Sequence, residues 1–259
     1  MALDVILPAG GHIDGEFADR VGTKSKALIH LEGETVLSRT IRALRASEGI
    51  ARIAVIGGPE VHEEAKRAGA DVLVPEGATG PENIFRGLDE LAKDNLTSKV
   101  LIVTCDLPFL TKDLISQFVR ACPNSIDICV PLISQTSFGE RFPGTHATFI
   151  ALKDGVWTTG CAYVIDAQAL RNAKKHIERV FENRKSKFGM ARLLGPVFVV
   201  KWLMKSLTLD DVEAKIRSLL GCSGAAVRNC APELSFDLDY LDDYEYALTW
   251  IKNQSATLL

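Results

Sequence analysis

Two adjacent glycines, one lysine and three aspartates have the types and spacing that handle phosphate groups. Gly10 and Gly11 end the apolar run Val5-Ile6-Leu7 by way of Pro8 and Ala9. A strand stopping in two glycines lets backbone N–H groups come close to an anion. Lys26, at the far end of the same loop, supplies a mobile positive charge. The spacing is not a Walker loop, because no Gly-Lys-Ser/Thr follows. Nor is it a dinucleotide fingerprint, because Gly10 and Gly11 are adjacent and Gly15 is the wrong partner for them. A tight turn followed by a surface lysine is the bland alternative.

Asp106 follows Lys99-Val-Leu-Ile-Val-Thr104, a nearly continuous apolar run, and Pro108 closes that strand. Open α/β sheets place their ligands at such strand ends, although an aspartate there also suits a turn or a helix cap. Asp237 and Asp239 alternate in Phe236-Asp-Leu-Asp-Tyr240 and so share one side of an extended segment. One of them can meet Asp106 across a metal ion. Asp242 and Asp243 suit the start of a last helix, where negative charge complements the dipole. Two hard carboxylates beside a phosphate-lined loop describe a Mg²⁺ (or Mn²⁺) site. The chemistry that fits is transfer of a nucleotidyl group. A phosphorylated acceptor is already ionised, so metal and Lys26 need only neutralise charge while pyrophosphate leaves.

These residues need a scaffold of alternating elements. Strands are expected at Val5–Leu7, Arg52–Ile56, Asp71–Val74 and Lys99–Thr104. Helices are expected from Thr35 to near Gly49, from Pro59 to about Gly69, over Asn83–Leu91 behind Gly80-Pro81, and over Thr111–Ala121. Residues 12–25 read as a loop and Ala27–Leu31 as a short extended piece. The second half is less regular. Strands are expected at Ile126–Ile133, Thr145–Leu152 and Tyr163–Ile165, with a hairpin turn at Lys153-Asp154-Gly155. A basic helix is expected over Ala167–Arg192, another over Thr208–Leu219, and a last one through Ile251. This order predicts an α/β fold: a three-layer α/β/α single domain with a mostly parallel mixed sheet.

The bulk properties are those of an ordinary globular chain of 259 residues, 47% hydrophobic, with mean hydropathy +0.10. Net charge of −3 offers no overall basic field for nucleic acid. Apolar runs such as Val197–Val200 are strand-sized and too short to cross a bilayer. Met1–Asp4 lacks a basic region followed by an apolar stretch, so no membrane partner and a cytoplasmic location are expected. The six cysteines form no CxxC pair and read as small buried hydrophobes. Trp157, Trp202 and Trp250 are too dispersed for a stacking platform and are expected in the core. The cations Arg179, Arg184, Lys185, Lys187 and Arg192 read first as a solvated helix face, and second as a surface for an acidic acceptor.

Taken in order, the motifs resemble the MobA-like and sugar-phosphate nucleotidyltransferases of the glycosyltransferase-A (nucleotide-diphospho-sugar transferase) type. Leu7-Pro-Ala-Gly-Gly11 resembles the family's opening Leu-Ala-Gly-Gly, and Ser25-Lys26-Ala27-Leu28 its Pro/Ser-Lys-x-Leu. Thr104-Cys-Asp-Leu-Pro108 resembles its metal-binding strand end. Asp237-Leu-Asp-Tyr-Leu-Asp-Asp-Tyr244 is similar to its Asp-x-Asp-Thr-Pro-Glu-Asp-Leu, which maps the second aspartate to Asp239.

Glu82-Asn83 with Gly87-Leu88 looks like its nucleotide-contacting helix start. Arg141-Phe-Pro-Gly-Thr145 and Lys153 through Thr159-Gly160 resemble the acceptor side of a MobA-like subgroup. The resemblance implies nucleotide contacts at Leu7, Ala9, Gly10, Gly11, Lys26 and Asn83, catalytic roles for Lys26 and Asp106, and metal at Asp106 and Asp239. Arg20, Asp237 and Gly160 stand at its margin.

One transferase domain over 1–259 is implied. Its nucleotide part spans about 1–135, its acceptor part about 136–235, and the metal motif with the last helix 236–259. The sequence departs from the pattern at His12-Ile-Asp-Gly-Glu16, where the family carries an arginine that Arg20 would have to replace. That departure supports a second reading, a nucleotide-binding protein that has lost the chemistry. A nucleotide-sugar-dependent glycosyltransferase is a third. The absence of a second aspartate at Pro108 and the Gly-Gly…Lys loop argue against it.

Overall fold

The computed structural model describes residues 2–184 and 186–257. Met1 and Lys185, on which the N-terminal and basic-stretch readings drew, lie outside the described residues. In chain order, β1 (Leu3–Pro8) leads to α1 (Gly15–Val21), a 3-10 turn at Lys26–Leu28, and the small ladder of β2 (His30–Leu31) with β3 (Glu34–Thr35). Then come α2 (Val36–Ala46), β4 (Ile50–Gly57), α3 (Pro59–Ala68), β5 (Val72–Pro75), α4 (Gly80–Leu91), β6 (Lys99–Val103) and α5 (Lys112–Ala121). The second half continues with β7 (Ile128–Ser134), α6 (Gln135–Arg141), β8 (Ile150–Leu152), β9 (Gly155–Thr159) and β10 (Ala162–Asp166). It ends with α7 (Ala167–Asn183), α8 (Lys187–Leu194), α9 (Pro196–Leu203), α10 (Leu209–Leu220), β11 (Gly224–Val227) and α11 (Leu241–Thr257).

Nine strands form one sheet in the order β5-β4-β1-β6-β10-β7-β9-β8, with β11 beside β7. Pairing is parallel from β5 through β6 and between β7 and β11, whereas β9 and β10 run against their neighbours. The sheet is therefore mixed and mostly parallel. Alternate residues of β1 build the layers on either side. Val5 and Leu7 pack in the cluster that holds Leu37, Ile41 and Phe118, while Ile6 packs with Phe85, Leu88 and Leu170. Thus α2, α3 and α5 cover one face, and α4 and α7 the other. Gly87 permits the close approach of α4, since a Cβ there would meet Ile56 Cδ1 at 2.8 Å. A third cluster, rich in aromatics, joins Phe109, Phe142 and Phe236 to Tyr244 of α11.

Helix starts follow the expected capping chemistry. Thr35, Thr79, Thr111 and Asp166 each accept a backbone N–H of their helix, and Thr208 forms a reciprocal capping box with Asp211.

The differences from the sequence reading have local causes. Residues 12–25 are not all loop. They contain α1, a seven-residue helix bounded by Gly15 and by Gly22 in a left-handed C-cap, so its glycines punctuate the ends instead of breaking the interior. The expected helix over 167–192 divides at Ser186, which caps α8. Val197–Val200 is helical because Pro196 stands in the first turn of α9. Thr145–Leu152 is strand only at Ile150–Leu152. Strand β11 has no alternating pattern and takes its form from pairing with β7. Trp202 is 55% exposed, not core. All six cysteines are free, four of them buried.

Candidate active site

The loop after β1 folds back on itself, which explains how Lys26 reaches the glycines. Lys26 N–H donates to the Gly11 carbonyl at 2.9 Å, Ile13 N–H donates to that of Lys24 at 2.9 Å, and His12 bridges Ser25. A Cβ on Gly11 would lie 3.3 Å from the Lys26 stem. Pro8, Gly10, Gly11 and Lys26 line one wall of a cleft. The turn from Gly77 to Gly80 with Asn83 lines the other, and Thr104, Cys105 and Asp106 form its floor. Asn83 is buried, and its Oδ1 accepts the Gly77 N–H at 2.6 Å, so it shapes the turn at the N-terminus of α4. Leu7 and Ala9 are fully buried, and their side chains support this cleft from the core.

Asp106, Asp237 and Asp239 converge although 131 positions separate the first two. Phe236 and Leu238 are buried at 3% and 0%, so the alternation turns Asp237 and Asp239 outward to one side. Leu238 N–H donates to the Asp106 carbonyl at 3.1 Å and pins the segment to the end of β6. One carboxylate oxygen from each aspartate lies within 4.8 Å of the others. Lys26 Nζ is 3.5 Å from Asp106 Oδ2 and also pairs with Asp239.

Burial opposes the lysine's charge, but Asp106, Asp239 and Asp237 outweigh it and raise the Lys26 pKa. Burial first, and then the charges of Asp106 and Asp239, push Asp237 up to about 7. Asp106 Oδ1 is buried without a hydrogen-bond partner. Three crowded carboxylates, one with an orphaned oxygen, suit a hard divalent cation. The nearby thiols do not suit one: burial, followed by the aspartate charges, pushes Cys105 and Cys161 up and keeps them protonated.

A second cleft opens on the other side of the acidic segment. It is lined by Asp237, Asp239 and Asp243 together with His146, Thr148, Thr158, Thr159 and Ser235. These hydroxyls come from three separate stretches and carry no spacing signature, so sequence reading passed over all but Thr159. Gly160 is buried and faces protein, not this cleft. Its Cβ would meet the Leu234 carbonyl oxygen at 2.7 Å, and Cys161 N–H donates to that same carbonyl at 2.7 Å. It therefore seats the acidic segment from behind.

Arg20 does not reach the cleft: on α1 it pairs with Glu245 at 3.8 Å. Arg141, in the expected acceptor stretch, is also taken up elsewhere. It pairs with Glu233 at 2.6 Å and stacks 4.6 Å over the rings of Phe142 and Trp250.

A glycine-walled cleft and an acidic cleft that share a lysine–carboxylate centre, on this sheet, define a nucleotidyltransferase of the nucleotide-diphospho-sugar transferase fold. The chain belongs to the MobA-like NTP transferase domain family, whose model matches residues 5–220. It is 23% identical over 221 residues to a probable molybdenum cofactor guanylyltransferase of Clostridium perfringens, a match covering 82% of this chain and 98% of the relative. A shorter match, 37% identical over 90 residues, relates 34% of the chain to 43% of a phosphoenolpyruvate guanylyltransferase of Sphaerobacter thermophilus. Among solved structures, a hypothetical transferase from Thermus thermophilus superposes with TM-score 0.82 at 27% identity, covering 94% of this chain and 99% of that one.

Proposed function

We propose that the protein transfers a guanylyl group from GTP, with Mg²⁺ or Mn²⁺, to a phosphorylated small-molecule acceptor and releases pyrophosphate. The observation that carries this reading is the arrangement of two clefts around one centre: Lys26 and Asp106 line the first, and Asp237 and Asp239 line the second. A donor in the first and an acceptor in the second would meet at the carboxylates. Backbone N–H groups of Gly10 and Gly11 bind the triphosphate, and Lys26 neutralises charge on it. Asp106 and Asp239 would hold the metal, with Asp237 beside them. The metal, when bound, supplies electrophilic activation of the α-phosphate and charge neutralisation. The acceptor phosphate needs no base, and His146 with the hydroxyls of Thr148, Thr158 and Thr159 would orient it.

Guanine is favoured by both guanylyltransferase relatives and by Glu76. The Glu76 carboxylate packs against Gly10, which lines the first cleft, and next to Gly77 of its facing wall. Guanine offers a carboxylate adjacent N1–H and N2–H₂ donors. The unbroken sheet linking the two clefts supports a single transferase unit over 1–259.

The test is thermal denaturation with each of ATP, CTP, GTP, UTP and dTTP, with and without Mg²⁺, followed by a pyrophosphate-release assay. GTP with Mg²⁺ at about 100 times its dissociation constant adds ~2.7 kcal/mol. A Mg²⁺-dependent shift with another base removes the guanine assignment, and silence with all five removes the donor site. A competing reading, a nucleotide binder without turnover, is favoured by the engagement of Arg20 with Glu245. Binding without pyrophosphate release across phosphorylated acceptors would establish it.

A further inference from the structure

Helices α8 and α9 form an arm with no buried residue in either helix. Their exposed side chains are large and apolar: Phe188 at 81%, Val197 at 71%, Val200 at 51%, Trp202 at 55%, Leu203 at 67% and Met204 at 72%. Lone exposed apolar residues are ordinary on a protein surface, but a contiguous group marks an interaction surface. Helical spacing places Val197, Val200 and Leu203 along one stripe of α9, which Met204 continues at its C-cap. Lys201 lies off that stripe and anchors the helix to α10 through Asp211 at 2.6 Å. The far end of the arm is fixed where Lys153 N–H donates to the Leu207 carbonyl at 2.8 Å and Asp154 accepts from Leu209 N–H at 3.2 Å. The arm is thus held as a structured ridge with its apolar stripe outward.

Charge identifies the occupant. The sequence from Arg184 to Lys205 contains six lysines and arginines and no acidic residue, although the chain as a whole carries −3. Arg184, Lys187, Arg192 and Lys205 are exposed and have no ion-pair partner among the described residues. A second copy docked through the same face would bring this cationic surface against itself. A nucleic acid would engage the cations and leave the Val, Leu and Met stripe in water. An anionic bilayer satisfies both, with the apolar stripe at the acyl boundary and cations among the phosphates.

We propose that the α8–α9 arm docks the protein peripherally on an anionic membrane surface. No helix among the described residues is long and apolar enough to cross a membrane, so the arm lies on the bilayer and does not span it. This reverses the sequence expectation of no membrane partner, which rests on the lack of a spanning run or leader and does not weigh peripheral docking; there the cations read as a solvated face or an acceptor surface. The root of the arm adjoins the nucleotide cleft: a Cβ on Gly80 would lie 3.5 Å from Phe181, near the end of α7. Docking therefore holds that cleft beside the bilayer.

The experiment is co-sedimentation of the full chain with vesicles of phosphatidylcholine, alone or mixed equally with phosphatidylglycerol. Binding is expected to the anionic vesicles and to weaken with salt. Leu203→Asp with Met204→Asp should lower the bound fraction by about tenfold or more. Lys187→Glu with Arg192→Glu should do the same by reversing charge without touching the apolar stripe, with melting temperatures of both pairs near that of the parent. Equal binding to both vesicle types, or undiminished binding by both variants, overturns the proposal. So does a lipid-free dimer, seen by sedimentation velocity, that the Asp pair abolishes, because the stripe would then face a second copy. Binding to duplex DNA in preference to anionic vesicles overturns it as well.

Discussion

Leu238 N–H donates to the main-chain carbonyl of Asp106 at 3.1 Å, and this bond joins the two halves of the proposed active centre. It ties the end of the central strand β6 to a segment with no strand partner of its own. Because the bond involves backbone atoms, it holds Asp237 and Asp239 at fixed distance from Asp106 whatever the ionisation of the side chains. The repulsion among three carboxylates is offset by this tether, by Gly160 and Cys161 behind Leu234, and by Lys26 among them.

Replacing Asp106 or Asp239 with Asn keeps the shape but removes a charge from the proposed metal site. Pyrophosphate release from GTP and Mg²⁺ should fall by about 100-fold or more in each variant. Metal-free stability should be maintained or raised in Asp106→Asn, because the crowding of like charge is relieved. Turnover within a fewfold of the parent in Asp106→Asn would remove that residue from the reaction.

Lys26 is the cation that balances the aspartates in the metal-free protein. Lys26→Ala should lower stability by about 2 kcal/mol in EDTA, the scale of a lost charge-assisted hydrogen bond. Added Mg²⁺ should then stabilise Lys26→Ala more than the parent, because the carboxylates have lost their internal counter-ion. Denaturant titrations with and without Mg²⁺ measure both differences, and equal Mg²⁺ effects in the two proteins would contradict the arrangement.

Asp237 sets a pH dependence. Its folded pKa of about 7 lies above the unfolded carboxylate value of 3.8. Its contribution to stability is therefore fully present below about pH 4 and is lost as pH rises through about 7. In metal-free protein, Asp237→Asn should raise Tm at pH 8 by a few degrees and have little effect at pH 4. Mg²⁺ prefers the ionised form, so the Mg²⁺-induced rise in Tm of the parent should grow between pH 6 and 8. A pH-independent Mg²⁺ shift would show that Asp237 does not titrate there.

Gly160 and Arg20, both marginal in the sequence reading, should part company. In Gly160→Ala the new methyl would meet a backbone oxygen at 2.7 Å, so the acidic segment must shift. A loss of about 1–3 kcal/mol is expected, with weaker Mg²⁺ stabilisation and lower turnover. Arg20→Ala breaks an exposed ion pair with Glu245 and should change stability by less than about 1 kcal/mol and leave turnover within about twofold. A large loss of turnover in Arg20→Ala would indicate that the loop rearranges on substrate binding.

The amino-acid sequence by itself determined most of the alternation of the first 121 residues, because apolar period and capping residues there agree and the central strands β1, β4 and β6 are buried between two helix layers. It also determined which side chains were available to the centre: Gly10, Gly11, Lys26, Asp106 and the two late aspartates carry distinctive spacing next to strand ends. The second half was less legible. Strand β11 owes its form to β7, and α9 is an apolar run whose neighbours alone could say whether it is covered; in the first half, α1 was missed because it lies between two glycines.

Only the tertiary structure decided the division of labour. It placed Lys26 against the carboxylates through a backbone bond to Gly11. It turned Arg20 and Arg141 away into ion pairs, seated Gly160 behind the acidic segment, and assembled His146 with Thr148 and Thr158 into a second cleft. It also left the α8–α9 stripe in solvent. The physical reason is common to all of these. Periodicity records whether a residue favours burial within its own element, whereas meeting a partner from another element depends on how elements pack across the sheet.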